Sequence, residues 1–298
     1  MIVCGKEIKI QGRLIRIASP ELDKYELLTD PEAVLAGLRK SGSRIDLVTF
    51  MQIMPETSPK FAYPMEWDNL AVLRVSTFDQ WWNHQIRSDA RNRARQAEKK
   101  GVTTREVPFD DALVQGMWEV YNESPIRQGK PNVHYGKHIH TVRAAEATFL
   151  DRSVFIGAFL GEKLIGFVKL VTDENRTQAN LMNIVSMVKY REKAPTNALI
   201  AQSVRSCAER DIKYLVYQSF TYGNKKPDSL TKFKEVNGFQ RVDLPRYYIP
   251  MTLTGWLVFR LGLHHGFADF LPEPVSTKLR DLRKAWYNRK FQAAREDS

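Results

Sequence analysis

The sequence predicts a mixed α/β (α+β) protein, a mostly antiparallel sheet flanked by helices, arranged as two lobes in tandem and followed by a basic C-terminal helix. Three observations carry this. Short runs of alternating apolar and polar residues recur along the chain between stretches with helical spacing, so strands and helices interleave. SVFIGAFLG (153–161) and EKLIGFVKLVTD (162–173) meet at Leu160-Gly161-Glu162-Lys163, which reads as a tight hairpin. ANLMNIVSMV (179–188), TNALIAQSVRSCAERD (196–211) and IKYLVYQSF (212–220) then read as strand, helix and strand.

In chain order, IKIQGRLIRIAS (8–19) alternates like a strand pair, DPEAVLAGLRKSG (30–42) has helical periodicity with a glycine stop, and RIDLVTFMQIM (44–54) is strand-like. PETSPKFAYP (55–64) breaks the chain, and LAVLRVS (70–76) closes a first lobe over 1–76. A basic helix follows over 78–100, with Trp81, Trp82, Ile86 and Ala90 on one side, arginines on the other, and Gly101 as its stop. VTTREVP (102–108) is strand-like, 110–122 helical with Asp110 as a candidate cap, and 138–150 helical again. After the hairpin and the strand–helix–strand unit, SLTKFKEVN (229–237) is a helix ended by Gly238. FQRVDLPRYYIPMT (239–252) reads as strand, turn and strand, which ends a second lobe over 77–252. An extension over 253–298 finishes in a basic helix.

At 298 residues and 43% hydrophobic content the chain can build a real core, which argues against disorder. Cys4 and Cys207 lie far apart without ligand-like spacing, so neither a disulfide framework nor a zinc site is suggested, no metal is expected, and a reducing cytosol fits best. The alternating N-terminus reads as a strand rather than a signal peptide, and no run approaches the roughly 18 apolar residues that span a bilayer. The net charge of +11 is concentrated: 87–105 holds seven basic and two acidic residues, and 276–298 seven basic and three acidic. Such clusters suit phosphate-bearing partners, a cofactor, a nucleic acid or an anionic membrane surface, or else form solvated helix faces.

YREKAPTNAL (190–199) joins the strand 179–188 to the helix 196–211. Free amides in the first turn of a helix seek acceptors, and a pyrophosphate is a good one, with Arg191 and Lys193 supplying charge.

The order of elements over 102–252 resembles that of the GNAT acyltransferase superfamily, in which the turn after the central strand follows Gln/Arg-x-x-Gly-x-Gly/Ala and wraps the pyrophosphate of acyl-CoA. Arg191-Glu192-Lys193-Ala194-Pro195-Thr196 matches the first position and replaces both glycines with Ala194 and Thr196. Phe233-Lys234-Glu235-Val236-Asn237-Gly238-Phe239 resembles a second GNAT segment, with Lys234 where many of these enzymes carry a tyrosine that protonates the departing thiolate. That Phe-Lys pair, together with RNRARQAEKKGV (91–102), is similar to the FemAB-type branch, in which two GNAT-like lobes are fused and which includes aminoacyl-tRNA-dependent peptidoglycan transferases. The resemblance implies a degenerate GNAT-like first lobe and an acyltransferase second lobe. It implies acetyl-CoA or another acyl-CoA as donor, bound by Ile184, Val185, Ser186, Arg191, Lys193, Ala194, Thr196, Asn197 and Phe233. The acceptor is then an amine or hydroxyl of a sugar, glycan precursor or amino acid. Aminoacyl-tRNA as donor, or a degenerate binding module, remain as alternatives.

YNESPIRQGKPNVHYGK (121–137) is the densest polar stretch, and loops of this kind bind something when a scaffold positions them. Tyr121, Arg127, Gln128, Tyr135 and Lys137 are candidate acceptor-binding residues, and Glu123 and His134 candidate bases for an acceptor that must lose a proton. The family geometry implies that backbone N–H groups of Val185 and Ser186 steady the carbonyl oxygen and that Tyr217, Tyr222 or Lys234 assist the leaving group. No Gly-x-Ser-x-Gly elbow, Walker loop or Rossmann glycine motif is present. Leu279, Leu282 and Trp286 form a stripe in the basic tail, either an internal packing face or a peripheral contact with an anionic membrane at its cytoplasmic side.

Overall fold

The computed structural model describes residues 1–265 apart from 22, 24–27, 128–129 and 222–227. Gln128, Tyr222 and the basic tail 276–298 therefore lie outside the described residues. The strands are β1 (Ile2–Val3), β2 (Lys6–Gln11), β3 (Ile17–Pro20), β4 (Leu47–Met51), β5 (Met65–Arg74), β6 (Val102–Val107), β7 (Ile126–Arg127), β8 (Lys130–Pro131), β9 (Ser153–Leu160), β10 (Lys163–Thr172), β11 (Gln178–Ser186), β12 (Tyr214–Val216) and β13 (Gln240–Pro250). The helices are α1 (Pro31–Lys40), α2 (Phe78–Gln80), α3 (Ser88–Lys99), α4 (Asp111–Asn122), α5 (Ile139–Glu146), α6 (Pro195–Ala208), α7 (Ser229–Val236) and α8 (Leu253–Arg260).

The chain divides into two units, and the division is not sequential. One takes the described residues of Met1–Val72, Val216–Lys234 and Phe239–Phe270; the other takes Leu73–Leu215 and Glu235–Gly238. The first break falls at Val72/Leu73, close to the boundary expected at 76, whereas β13, expected to close the second lobe, belongs to the first unit together with α8.

In the first unit the strand order is β1-β2-β3-β4-β13-β5, antiparallel except for the β3–β4 pair. Asp30 caps α1 by accepting the amide of Ala33 at 2.9 Å, Pro31 occupies the first helical position, and Val34, Leu35 and Leu38 face a core shared with Phe50, Tyr247 and Ile249. The turn expected within 239–252 is absent, and β13 runs unbroken through Pro245. The carbonyl of Pro245 accepts the amide of Gln52, one residue past the end of β4. A residue's N and O point the same way in a strand, so the missing N–H falls where the β4 ladder ends and costs the β5 ladder nothing.

In the second unit the order is β12-β11-β10-β9-β6, with antiparallel pairs from β11 to β6. Both faces of β10 are buried, α4 and α6 each packing on it. Leu113, Met117, Val120 and Tyr121 of α4 meet Phe155, Phe159, Phe167 and Met187 in one core. Gly161 sits at φ +59° in the β9–β10 hairpin, where a left-handed residue is required.

The helix expected over 78–100 is broken. A π-type turn (Trp81–Gln85) follows α2, Ile86 is extended, and α3 starts at Ser88. Here tertiary bonds displace helical ones, because the Trp81 indole donates to the carbonyl of Asn237 at 2.9 Å and the Arg87 amide to that of Val236 at 2.9 Å. Beyond the break, Ala90, Ala94 and Ala97 form the buried stripe of α3, which packs on α6 while Arg93, Arg95 and Lys99 face solvent. Among the described residues no helix is long and apolar enough to cross a membrane.

Candidate active site

The site grows from the end of β11. The amides of Lys213 and Tyr214 both donate to the carbonyl of Thr177, so three-residue β12 starts level with the start of β11 and stops well short of its end. Gln178 to Leu181 are buried, whereas Ile184, Val185 and Ser186 are half-exposed. Along β11 the side chains alternate. Val185 packs with Tyr190 against the α4 core, and Ser186 points to the other face, where its hydroxyl meets the Thr196 hydroxyl at 2.9 Å. The amide of Met187 donates to Ile165 of β10, so alternation turns the Val185 amide toward β10 and the Ser186 amide away from it. Of the two donors expected to steady a carbonyl oxygen, only Ser186 keeps a free direction.

Beyond Ser186, a 3-10 turn (Val188–Lys193) leads into α6 through Ala194, which takes the left-handed conformation at φ +51° and ψ +42°. The amide of Ala194 donates to the carbonyl of Arg191 at 3.1 Å, and those of Asn197 and Ala198 to the carbonyl of Ala194 at 3.1 and 3.4 Å. Pro195 has no N–H. Among the described residues, the Thr196 amide is the one donor of this first turn without a protein acceptor. Arg191 is exposed, Lys193 is half-buried and Asn197 is buried. Lys100, at the end of α3, donates its ammonium to the carbonyl of Glu192 at 2.7 Å and so ties the basic helix to this turn.

Glu123 ties the polar loop to the site. Glu123 accepts the amides of Val188 and Lys189 at 2.9 and 3.0 Å, so both carboxylate oxygens hold the 3-10 turn. His134 stacks on Tyr121, ring centroids 4.1 Å apart, and burial, with Lys137 and Arg127 nearby, lowers its pKa from the ordinary histidine value. It is a neutral imidazole at pH 7, the form that can take a proton. Arg127 donates to the carbonyl of Val120 at 3.1 Å, and burial lowers its pKa. Tyr135 is exposed, and the Lys137 carbonyl accepts from the Trp118 indole at 2.9 Å.

Tyr121 itself is buried. Its hydroxyl donates to Glu146 at 2.7 Å, Glu146 also accepts both contacts of the Asn183 amide at 2.9 and 3.0 Å, and the Lys169 ammonium donates to the backbone carbonyls of Glu146 and Thr148 at 2.7 and 2.6 Å. Sequence reasoning missed Glu146, Lys169 and Asn183. The available signal was a charged residue at an apolar position of a buried strand (Lys169) and a glutamate on the inner face of α5.

Tyr217, Phe233 and Lys234 lie in the first unit. Lys234 is fully buried, donates its ammonium to the carbonyl of Ser219 and lies 4.9 Å from the centre of the Tyr217 ring. Tyr217 in turn packs edge-on against Phe239. Phe233 is half-buried. Serving a leaving group would require Lys234 to abandon this buried contact.

No family model and no curated protein matches the sequence. Solved structures do match in fold. FemX superposes at a TM-score of 0.59 with 10% identity, covering 86% of each chain. The structure of L-PGS from Bacillus licheniformis gives 0.57 with 15% identity, covering 85% of each. The C-terminal domain of a putative lysylphosphatidylglycerol synthetase from Agrobacterium fabrum gives 0.55 with 12% identity, covering 86% of this chain and 84% of that one. The fold expected from the strand order and the basic turn is the fold observed: the chain has the FemAB-like, tandem GNAT-type fold.

Proposed function

We propose that the chain is an acyltransferase that passes an acyl group directly to an amine or hydroxyl acceptor at the half-exposed end of β11. The acceptor attacks the acyl carbonyl, the Ser186 amide receives the developing oxyanion, and the acceptor's proton leaves to a base, for which the neutral His134 imidazole is better suited than Glu123, whose two oxygens hold the 188–193 turn. The carbon–oxygen or carbon–sulfur bond to the carrier then breaks, and the carrier leaves with the electron pair.

The observation that carries the choice of donor is the state of the α6 amides. With Ala194, Asn197 and Ala198 bonded to protein carbonyls and Pro195 lacking an N–H, one amide and one hydroxyl are left to greet a diphosphate, less than a pyrophosphate cradle needs. The exposed cations Arg191, Arg93, Arg95 and Lys99 offer point charges instead, which suit a polyanion. This favours an aminoacyl-tRNA ester as donor over the acyl-CoA implied by resemblance alone. The similarly folded C-terminal domain of a putative lysylphosphatidylglycerol synthetase is consistent with a lipid acceptor.

Binding of acetyl-CoA and of aminoacylated tRNA to the purified protein separates the donors. If about four phosphates are neutralised, tRNA affinity falls on the order of a hundredfold between 50 and 200 mM salt. Arg191→Ala is expected to flatten that slope by about one contact and weaken binding at low salt. Saturable binding of acetyl-CoA, lost in Arg191→Ala, with no measurable tRNA binding would return the donor to acyl-CoA.

A further inference from the structure

The first unit carries a second group of chemistry-bearing side chains that transfer at β11 does not use. Glu66 lies on β5, and its carboxylate faces two consecutive histidines in the turn after α8. Its Oε1 is 3.1 Å from His264 Nε2 and its Oε2 is 3.0 Å from His265 Nε2, and the two imidazole centroids stand 4.0 Å apart. All three candidate ligand atoms fall within 4.8 Å of one another.

From these separations we propose that Glu66, His264 and His265 bind a divalent transition-metal ion of the zinc class. Imidazole nitrogens and a carboxylate are the ligand set that zinc, cobalt and nickel prefer over calcium or magnesium. Two ligands each about 2.0–2.1 Å from a metal stand about 3.3 Å apart at the tetrahedral angle and about 2.9 Å apart at a right angle. The two Nε2–carboxylate separations, 3.1 and 3.0 Å, lie between these values.

Rigidity supports the assignment. The His264 ring has 1% side-chain exposure and is held between Tyr248 at 4.5 Å and Phe259 at 5.2 Å, so its Nε2 is aimed at Glu66 by packing.

Three protein ligands leave coordination positions open. Glu66 and His265 also line a cleft of about 470 Å³ whose wall includes Asp68, Asn69, Arg241 and Arg246. An exchangeable ligand on the metal would sit at this cleft, beside the Arg246 guanidinium, which is itself paired with Asp23 at 2.7 Å and Asp68 at 2.9 Å. A cysteine count cannot see this site: the ligands are one dipeptide, His264-His265, and a glutamate nearly two hundred residues earlier.

The test uses the full chain, freed of any histidine tag and stripped with a chelator. Titration with Co²⁺ followed by visible absorption, and with Zn²⁺ by calorimetry, is expected to show one equivalent bound. His265 is exposed and outside the core, so His265→Ala should fold normally and bind the metal at least about a hundredfold more weakly, since losing a direct ligand exceeds the about 10–100-fold cost of losing an outer partner. Glu66→Gln should behave alike, and His264→Ala is a third variant whose buried ring makes it a less clean comparison. No stoichiometric binding to the unaltered chain, or equal binding by the chain and His265→Ala, overturns the proposal. Neither readout depends on transferase activity, so failure here leaves the proposed function standing.

Discussion

Replacing Glu146 by alanine is expected to lower the unfolding free energy by about 3–5 kcal/mol, the cost of opening a buried charged network by removing one member. Glu146 is 2% exposed, and its carboxylate is the acceptor for the Tyr121 hydroxyl and the Asn183 amide. Burial and the Glu146 charge push the Tyr121 hydroxyl far above the ordinary tyrosine value, so it stays a neutral donor and cannot compensate by ionising. The alanine variant strands both donors and leaves the buried Lys169 ammonium without the nearest negative charge. Glu146→Gln keeps an acceptor oxygen and an equal volume, so its loss should be clearly smaller. Urea midpoints at unchanged slope measure both. Equal, small shifts in the two variants would mean that the network contributes shape and not charge.

The same network shows where sequence reading stops. The periodicity of α4, α6 and β9–β11 was legible because each buries a face or a stripe, and burial is what alternation encodes. The partner of β13 was not, since a strand's neighbours are chosen by long-range pairing and Pro245 looks like a turn until the end of the β4 ladder is seen. The break at Ile86 likewise comes from carbonyls of Val236 and Asn237, some 150 residues away. At the site, the basic turn lies between strand and helix, as the sequence of 190–199 predicts. Which of its amides are occupied depends on the left-handed Ala194, and an alanine gives no local sign of that conformation. From its loop Glu123 is a candidate base, whereas its two oxygens hold the turn that follows β11.

Stability is also expected to rise with pH just above neutrality, because of Lys169. Burial lowers its pKa to about 8 from the ordinary 10.5, against the opposing pull of the Glu146 charge. Below pH 8 the lysine is charged in both folded and unfolded chains, and the folded state carries the full desolvation cost. Between 8 and 10.5 the folded chain has released the proton that the unfolded chain retains, so the unfolded state binds more protons and stability climbs with pH. The slope approaches about 1.4 kcal/mol per pH unit, about 3 kcal/mol over the whole window. Cys207 works in the opposite sense higher up. Burial holds its thiol up to about 12 against an ordinary 9.0, so the unfolded thiol ionises first and stability is lost as pH passes 9. The clean interval is therefore pH 8 to 9. Lys169→Met has a similar length and no titration, so the difference between its urea-unfolding curve and that of the unaltered chain isolates the lysine. A difference growing in favour of the unaltered chain across that interval is the expected result, and parallel pH profiles would mean that the ammonium keeps its proton through the three oxygens of Glu146 and Thr148 that it contacts.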